Sequence, residues 1–130
     1  MGEQALRFGI VGDCGGWGRG KGIVRTINRV PGCAITALCD IDFDGLREAN
    51  NEELGVADLF ADYDEMLERA ELDAVFIATP MSLHAPQAIV ALERGVHVLS
   101  EVPSMVDMEQ SRALVHACHG SQAVYMLAEN

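Results

Sequence analysis

Six short apolar runs punctuate this chain, each separated from the next by a stretch long enough for a helix, and that alternation restricts what it can fold into. Leu6–Val11, Cys33–Cys39, Leu59-Phe60, Asp73–Ala78, Val96–Ser100 and Ala123–Leu127 read as strands. Gly18–Val30, Phe43–Glu53, Tyr63–Arg69, Leu83–Arg94 and Asp107–His119 read as helices. Pro31-Gly32, Gly55, Gly95 and Gly120 mark stops, with Asp62 and Ser82 placed as N-caps. The last helix is expected to turn Met108, Leu114, Val115 and Cys118 inward. Cys33–Cys39 is an apolar run suited to a strand buried on both faces. Strands joined by helical crossovers run parallel, and right-handed crossovers wind them both ways, giving an α/β doubly wound sheet in one domain.

The first strand breaks abruptly into glycines: Gly12-Asp13-Cys14-Gly15-Gly16-Trp17-Gly18-Arg19-Gly20. Strand, glycine turn and helix together aim backbone N–H groups and a helix N-terminus at a phosphate. The best spacing is Gly12-x-x-Gly15-x-x-Gly18. Gly12 would allow the tight turn, Gly15 or Gly16 the close approach of a diphosphate, and Gly18 or Gly20 the packing of helix on strand. Asp13 is expected to point away from the phosphate. Asp40 ends the second strand about 20 residues beyond the glycines, where a carboxylate accepts both ribose hydroxyls of an adenosine and repels a 2′-phosphate. No basic residue follows it in Ile41-Asp42, so NAD is favoured over NADP. Asp42 is the better cap for the next helix, which frees Asp40 for the ligand. Under a nucleotide reading the strand order is 3-2-1-4-5-6, with the ligand beyond the carboxyl ends at the switch between strands one and four.

Composition narrows the partners. Hydrophobic residues make up 49% of the 130, enough for a core, and the net charge is -11, with Lys21 the only lysine. That balance argues against nucleic acid and anionic membranes, while oriented N–H groups still hold phosphate locally. No apolar run approaches the ~20 residues of a membrane span, and no signal peptide is visible at the N-terminus. Four scattered cysteines without a C-x-x-C pair read as free thiols in a reducing cytoplasm. Cys14, beside a helix N-terminus, carries the expectation of a lowered thiol pKa and sensitivity to oxidation. No Cys, His and Asp set has metal-ligand spacing, and no exposed Ser with a His partner suggests a hydrolase. A methyltransferase using S-adenosylmethionine shares the glycine turn and the acid, but not the turns at Thr79-Pro80 and Glu101-Val102-Pro103.

At those turns the chain resembles the N-terminal domain of the Gfo/Idh/MocA oxidoreductases. The resemblance rests on Gly9-Ile10-Val11-Gly12, Ala37-Leu38-Cys39-Asp40-Ile41-Asp42 and Asp73-Ala74-Val75-Phe76-Ile77-Ala78-Thr79-Pro80. It continues through His84-Ala85-Pro86-Gln87-Ala88 and the run from Ala91 to Glu101. It implies NAD(P) binding and hydride exchange with sugars or polyols. Gly12, Cys14, Gly15, Gly16, Trp17 and Gly18 would hold the diphosphate, and Asp40, with Ile41 beside it, the adenosine ribose. Thr79, Pro80 and His84 would line the cofactor, and Glu101 would lie near the nicotinamide ribose. The family usually reads Glu-Lys-Pro where this chain has Glu101-Val102-Pro103, so the motif lysine is missing; the Val102–Pro103 bond is expected to be cis. Residues 1–130 read as the dinucleotide-binding domain, without the family's C-terminal substrate domain. No catalytic residue is assigned within them. The alternative is a stand-alone dinucleotide sensor or self-assembling module, and homo-oligomers are expected because a missing partner domain exposes apolar surface.

Overall fold

The protein is described by a computed structural model covering residues 4–14 and 19–129. Six parallel strands form one sheet in the order β3-β2-β1-β4-β5-β6, as expected. They are β1 Leu6–Val11, β2 Cys33–Cys39, β3 Asp58–Phe60, β4 Ala74–Ile77, β5 His97–Ser100 and β6 Tyr125–Leu127. The helices are α1 Arg19–Ile27, α2 Phe43–Ala49, α3 Tyr63–Arg69, α4 His84–Glu93 and α5 Met108–Gly120.

Period-two alternation sends the core to both faces of the sheet. On β4, Val75 and Ile77 join one apolar cluster with Met66 of α3, Leu92 of α4 and Leu114 of α5. Phe76, between them, joins the opposite cluster with Val24 of α1 and Leu46 of α2. β2 breaks this rhythm once. The register runs Phe8↔Ile35 and then Gly9↔Ala37, so Thr36 is an extra residue. Ile35 and Leu38 therefore share one face, and Ala37 and Cys39 the other.

Several local expectations need correction. The helix expected over Phe43–Glu53 is α-helical only to Ala49 and widens over Asn50–Leu54. The cause is the buried Asn50, whose amide donates to Val56 O (3.0 Å) and accepts from Val56 N–H (2.8 Å). Gly55 closes that turn in the left-handed region, at φ 63°. Ser82 is no N-cap: Met81–Leu83 form a 3₁₀ turn without a side-chain cap, and Ser82 O accepts from Gln110 Nε2 at 3.0 Å. On α5, Leu114 is buried and Cys118 half-buried, but Met108 and Val115 are exposed, because they fall about 100° or more around the helix from Leu114. Asp62 and Asp42 do cap α3 and α2, accepting from Glu65 N–H and Gly45 N–H.

Away from the carboxyl ends, Arg7 grips Asp73 with its backbone N–H (2.8 Å), Nε (3.0 Å) and Nη2 (3.2 Å). These bonds from Arg7 hold the Asp73 carboxyl below the usual carboxylate range. A depressed carboxyl contributes stability that is present above its unfolded pKa and lost as pH falls through the folded one. Asp73→Asn should therefore be less stable than the parent in urea at about pH 7, with the gap closing below about pH 3. A gap that stays constant across that window would show that the carboxylate's charge is not the source.

Candidate functional site

The chain turns at the carboxyl ends of β1, β2 and β4, where the topology switches direction, and leaves a cleft of about 450 Å³ there. Val11, Gly12 and Asp13 form its floor, and Cys39, Asp40 and Ile41 one wall. Thr79, Pro80, Leu83 and Gln87 form the other wall, and Tyr63 and Ala61 close the end.

Gly12 is built into this floor. Its φ is 89°, its N–H donates to Cys39 O at 2.9 Å, and a Cβ there would lie 2.7 Å from Thr79 N and 2.8 Å from Ala78 O. Gly20 plays the helix-packing role: a Cβ on it would press into the Gly12 carbonyl. Asp13 does not point away. Its own left-handed backbone (φ 57°) swings the carboxylate to the start of α1, where Oδ2 accepts from Arg19 N–H at 3.1 Å. A free helix N–H and the positive end of the helix dipole make that position favourable for an acid.

Asp40 ties the cleft together. Oδ2 accepts Cys14 N–H and Oδ1 accepts Asp42 N–H, each at 3.0 Å, so two of roughly four lone-pair sites remain for a ligand. Beside it Ile41 is 96% exposed, an apolar side chain held out over the cleft rim. Cys14 faces the other way. Its thiol is fully buried and donates to Gly12 O at 3.4 Å. Burial, reinforced by the Asp40 charge, pushes the thiol above its ordinary value, which overturns the expectation of an oxidation-sensitive cysteine. The same two causes push Cys39 up to about 12. All four cysteines are free.

On the opposite wall the polar groups are largely engaged with one another. Thr79 Oγ1 donates to Gln87 Oε1 at 2.6 Å, and Tyr63 OH donates to Gln87 O at 2.9 Å. His84 does not line the cleft. It is only 2% exposed, and its ring spans two carbonyls, Nδ1 at 2.7 Å from Pro103 O and Nε2 at 2.6 Å from Thr79 O. It braces the turn after β4 against the Val102–Pro103 turn, whose peptide bond is cis as expected. Glu101, buried at the end of β5, faces Arg19 Nη1 at 3.4 Å and lies outside the cleft. No cluster of metal-ligating side chains occurs among the described residues.

Of the residues singled out in the sequence, Gly12, Asp40, Ile41, Thr79 and Pro80 meet in one cleft, whereas Cys14, His84 and Glu101 stand behind or beside it. Gly15, Gly16, Trp17 and Gly18 lie outside the described residues. Sequence reasoning missed Tyr63, Leu83 and Gln87. A signal existed: Tyr63 directly follows the cap after β3, and Leu83 and Gln87 are four apart after β4, on one helix face at a strand's carboxyl end.

The family described as oxidoreductases with an NAD-binding Rossmann fold, Gfo/Idh/MocA, matches residues 6–129. The curated glycosyl hydrolase family 109 protein 1 of Bacteroides fragilis is 34% identical over 120 residues, which cover 86% of this chain and 26% of that protein. The scyllo-inositol dehydrogenase of Lactobacillus casei, solved with NAD(H) and scyllo-inositol, superposes with a TM-score of 0.86 at 31% identity, over 96% of this chain and 36% of that one. The WlbA dehydrogenase of Bordetella pertussis, in complex with NADH and UDP-GlcNAcA, gives a TM-score of 0.85 at 30% identity, over 96% and 37%. The chain thus spans about a quarter of the curated relative and a little over a third of the two solved ones.

Proposed function

Since the chain belongs to the Gfo/Idh/MocA family of oxidoreductases and carries its NAD-binding Rossmann fold, we propose that residues 1–130 hold the cofactor for a dehydrogenase of sugar or polyol CH–OH groups. When bound, NAD supplies the hydride acceptor; the substrate pocket and its proton-transferring groups come from outside residues 1–130. Val102 stands where the family motif has lysine and offers no proton, so no catalytic residue is assigned here.

The observation that carries the reading is the pairing of Gly12 with Asp40 across one cleft. Gly12 keeps the floor bare where a Cβ would collide with Thr79, and Asp40 keeps acceptor sites free for ribose hydroxyls. Ile41 and Pro80 add apolar cover to either side of that carboxylate, and Glu101 with Arg19 flanks the path towards β5. Nothing basic follows Asp40 at once, in Ile41-Asp42, so a 2′-phosphate meets an anion instead of a cation.

Isothermal titration of the chain with NAD, NADP and ADP-ribose tests this. NAD and ADP-ribose should bind at least about tenfold more tightly than NADP, the scale of one misplaced charge. Equal binding of all three, or none, removes the assignment.

A second reading, glycoside cleavage by the whole protein, is favoured by the name of the Bacteroides fragilis relative, a glycosyl hydrolase. Activity of a chain extended to the relatives' length, assayed on polyols and on aryl glycosides, separates the two. We also propose a reducing cytoplasmic setting and self-association. The four free cysteines support the first, and exposed Val124 and Met126 on or beside edge strand β6 support the second. No helix among the described residues is long and apolar enough to cross a membrane.

A further inference from the structure

We propose that Gln87 reads the purine base of the bound dinucleotide and that Thr79 sets the orientation in which it reads. The inference rests on the NAD reading above and goes beyond it, from the ribose to the base.

The base end of the cleft is mostly apolar: Ile41 on one wall, Pro80 and Leu83 on the other, Ala61 at the end. Such walls hold any flat heterocycle and distinguish none. Discrimination needs a polar group with a fixed direction and unspent hydrogen-bonding capacity. Tyr63 does not qualify, because its hydroxyl proton is committed to Gln87 O at 2.9 Å. Thr79 does not qualify either, because its hydroxyl donates to Gln87 Oε1 at 2.6 Å. Asp40 is held by Cys14 N–H and Asp42 N–H and stands at the ribose position.

Gln87 remains, and it is pinned twice. Tyr63 donates to its backbone carbonyl, and Thr79 donates to its Oε1, which leaves Nε2 on the other side of the amide. Among the described residues its Nε2 donates to nothing, and Oε1 keeps a second lone pair. The cleft therefore faces a donor and an acceptor side by side on a half-buried amide. Adenine offers the complement, an exocyclic amino donor next to a ring-nitrogen acceptor, the pairing by which Gln and Asn recognise that base bidentately. Hypoxanthine replaces the amino group with a carbonyl, so Gln87 Oε1 meets a second acceptor at the same place. Rejection of this kind comes from an unpaired polar group, not from shape.

The test compares the chain's affinity for NAD and for nicotinamide hypoxanthine dinucleotide, which differ only in the base. The parent chain should prefer NAD by about tenfold or more. Gln87→Leu should bring the two affinities within about twofold, mainly by weakening NAD. Thr79→Val, which leaves Gln87 in place but frees its amide to turn over, should reduce the preference without erasing NAD binding. Equal affinities in the parent, or a preference that survives in Gln87→Leu, overturns the assignment of Gln87 and leaves the cofactor reading standing. Absence of binding to either dinucleotide overturns both. Circular dichroism of each variant confirms that the sheet is retained.

Discussion

Gly12→Ala should cost this chain more than about 3 kcal/mol of folding stability and abolish dinucleotide binding, from one added methyl group. Two penalties combine. The residue sits at φ 89°, a region costly for any L side chain. The new Cβ would also lie under 3 Å from Thr79 N and from the carbonyl carbon and oxygen of Ala78, all backbone atoms of the strand-end turn, which have no rotamer to escape into. Relief requires β1 and β4 to part at their carboxyl ends, where Ala78 N–H donates to Val11 O at 2.8 Å. Gly22→Ala is the control. It lies in α1 with nothing within 4 Å of its added Cβ, and should match or exceed the parent by up to about 1 kcal/mol. Urea titrations followed by circular dichroism read both. Similar midpoints for the two variants would mean that Gly12 is not a point of close approach.

His84→Ala should be nearly as damaging, at about 3 kcal/mol. The imidazole is buried and meets two backbone carbonyls, Thr79 O and Pro103 O, at 2.6 and 2.7 Å. Truncation takes the ring N–H away from the carbonyl that accepts it and opens a cavity between the two turns. The two effects add because the carbonyls belong to separate segments that nothing else on the ring holds together. His84→Gln, whose amide nitrogen reaches one carbonyl, should fall between the parent and the alanine variant. Limited proteolysis after the β5 turn reports the loosened segment directly. An alanine variant within about 0.5 kcal/mol of the parent would show that the brace carries no weight.

Much of this architecture was legible in the residues, and the reasons differ by element. β1, β2 and α3 have the bounds the sequence implied, because Pro31-Gly32, the glycines after Val11 and the Asp62 cap are local signals that need no neighbour. The strand order followed from the alternation together with an acid at the end of β2. What stayed hidden depends on residues distant in sequence. His84 read as a lining residue because Pro103, 19 positions away, could not be seen to claim it. Cys14 read as an activated thiol because the helix start is local and visible, whereas the core that engulfs it is not. Gln87 drew no attention because an amide on a helix is ordinary until Thr79 and Tyr63 converge on it. The extra residue at Thr36 was not recognised, because one threonine in an otherwise apolar strand is ordinary.

That extra residue has a consequence for comparing this chain with its relatives. A strand addresses its two sides by odd and even count, and Thr36 shifts the count by one before the strand delivers Asp40 to the cleft. Removing Thr36 itself would leave Gly9 opposite Ala37 and both faces as they are, but removing a residue between Ala37 and Asp40, with Thr36 kept as the extra one, would exchange the two sides: Cys39 would take Leu38's face, and the carboxylate would turn away from the cofactor. An alignment that opens a one-position gap in β2 anywhere but at Thr36 is thus no small error, since the ligand's address on this strand is a matter of parity.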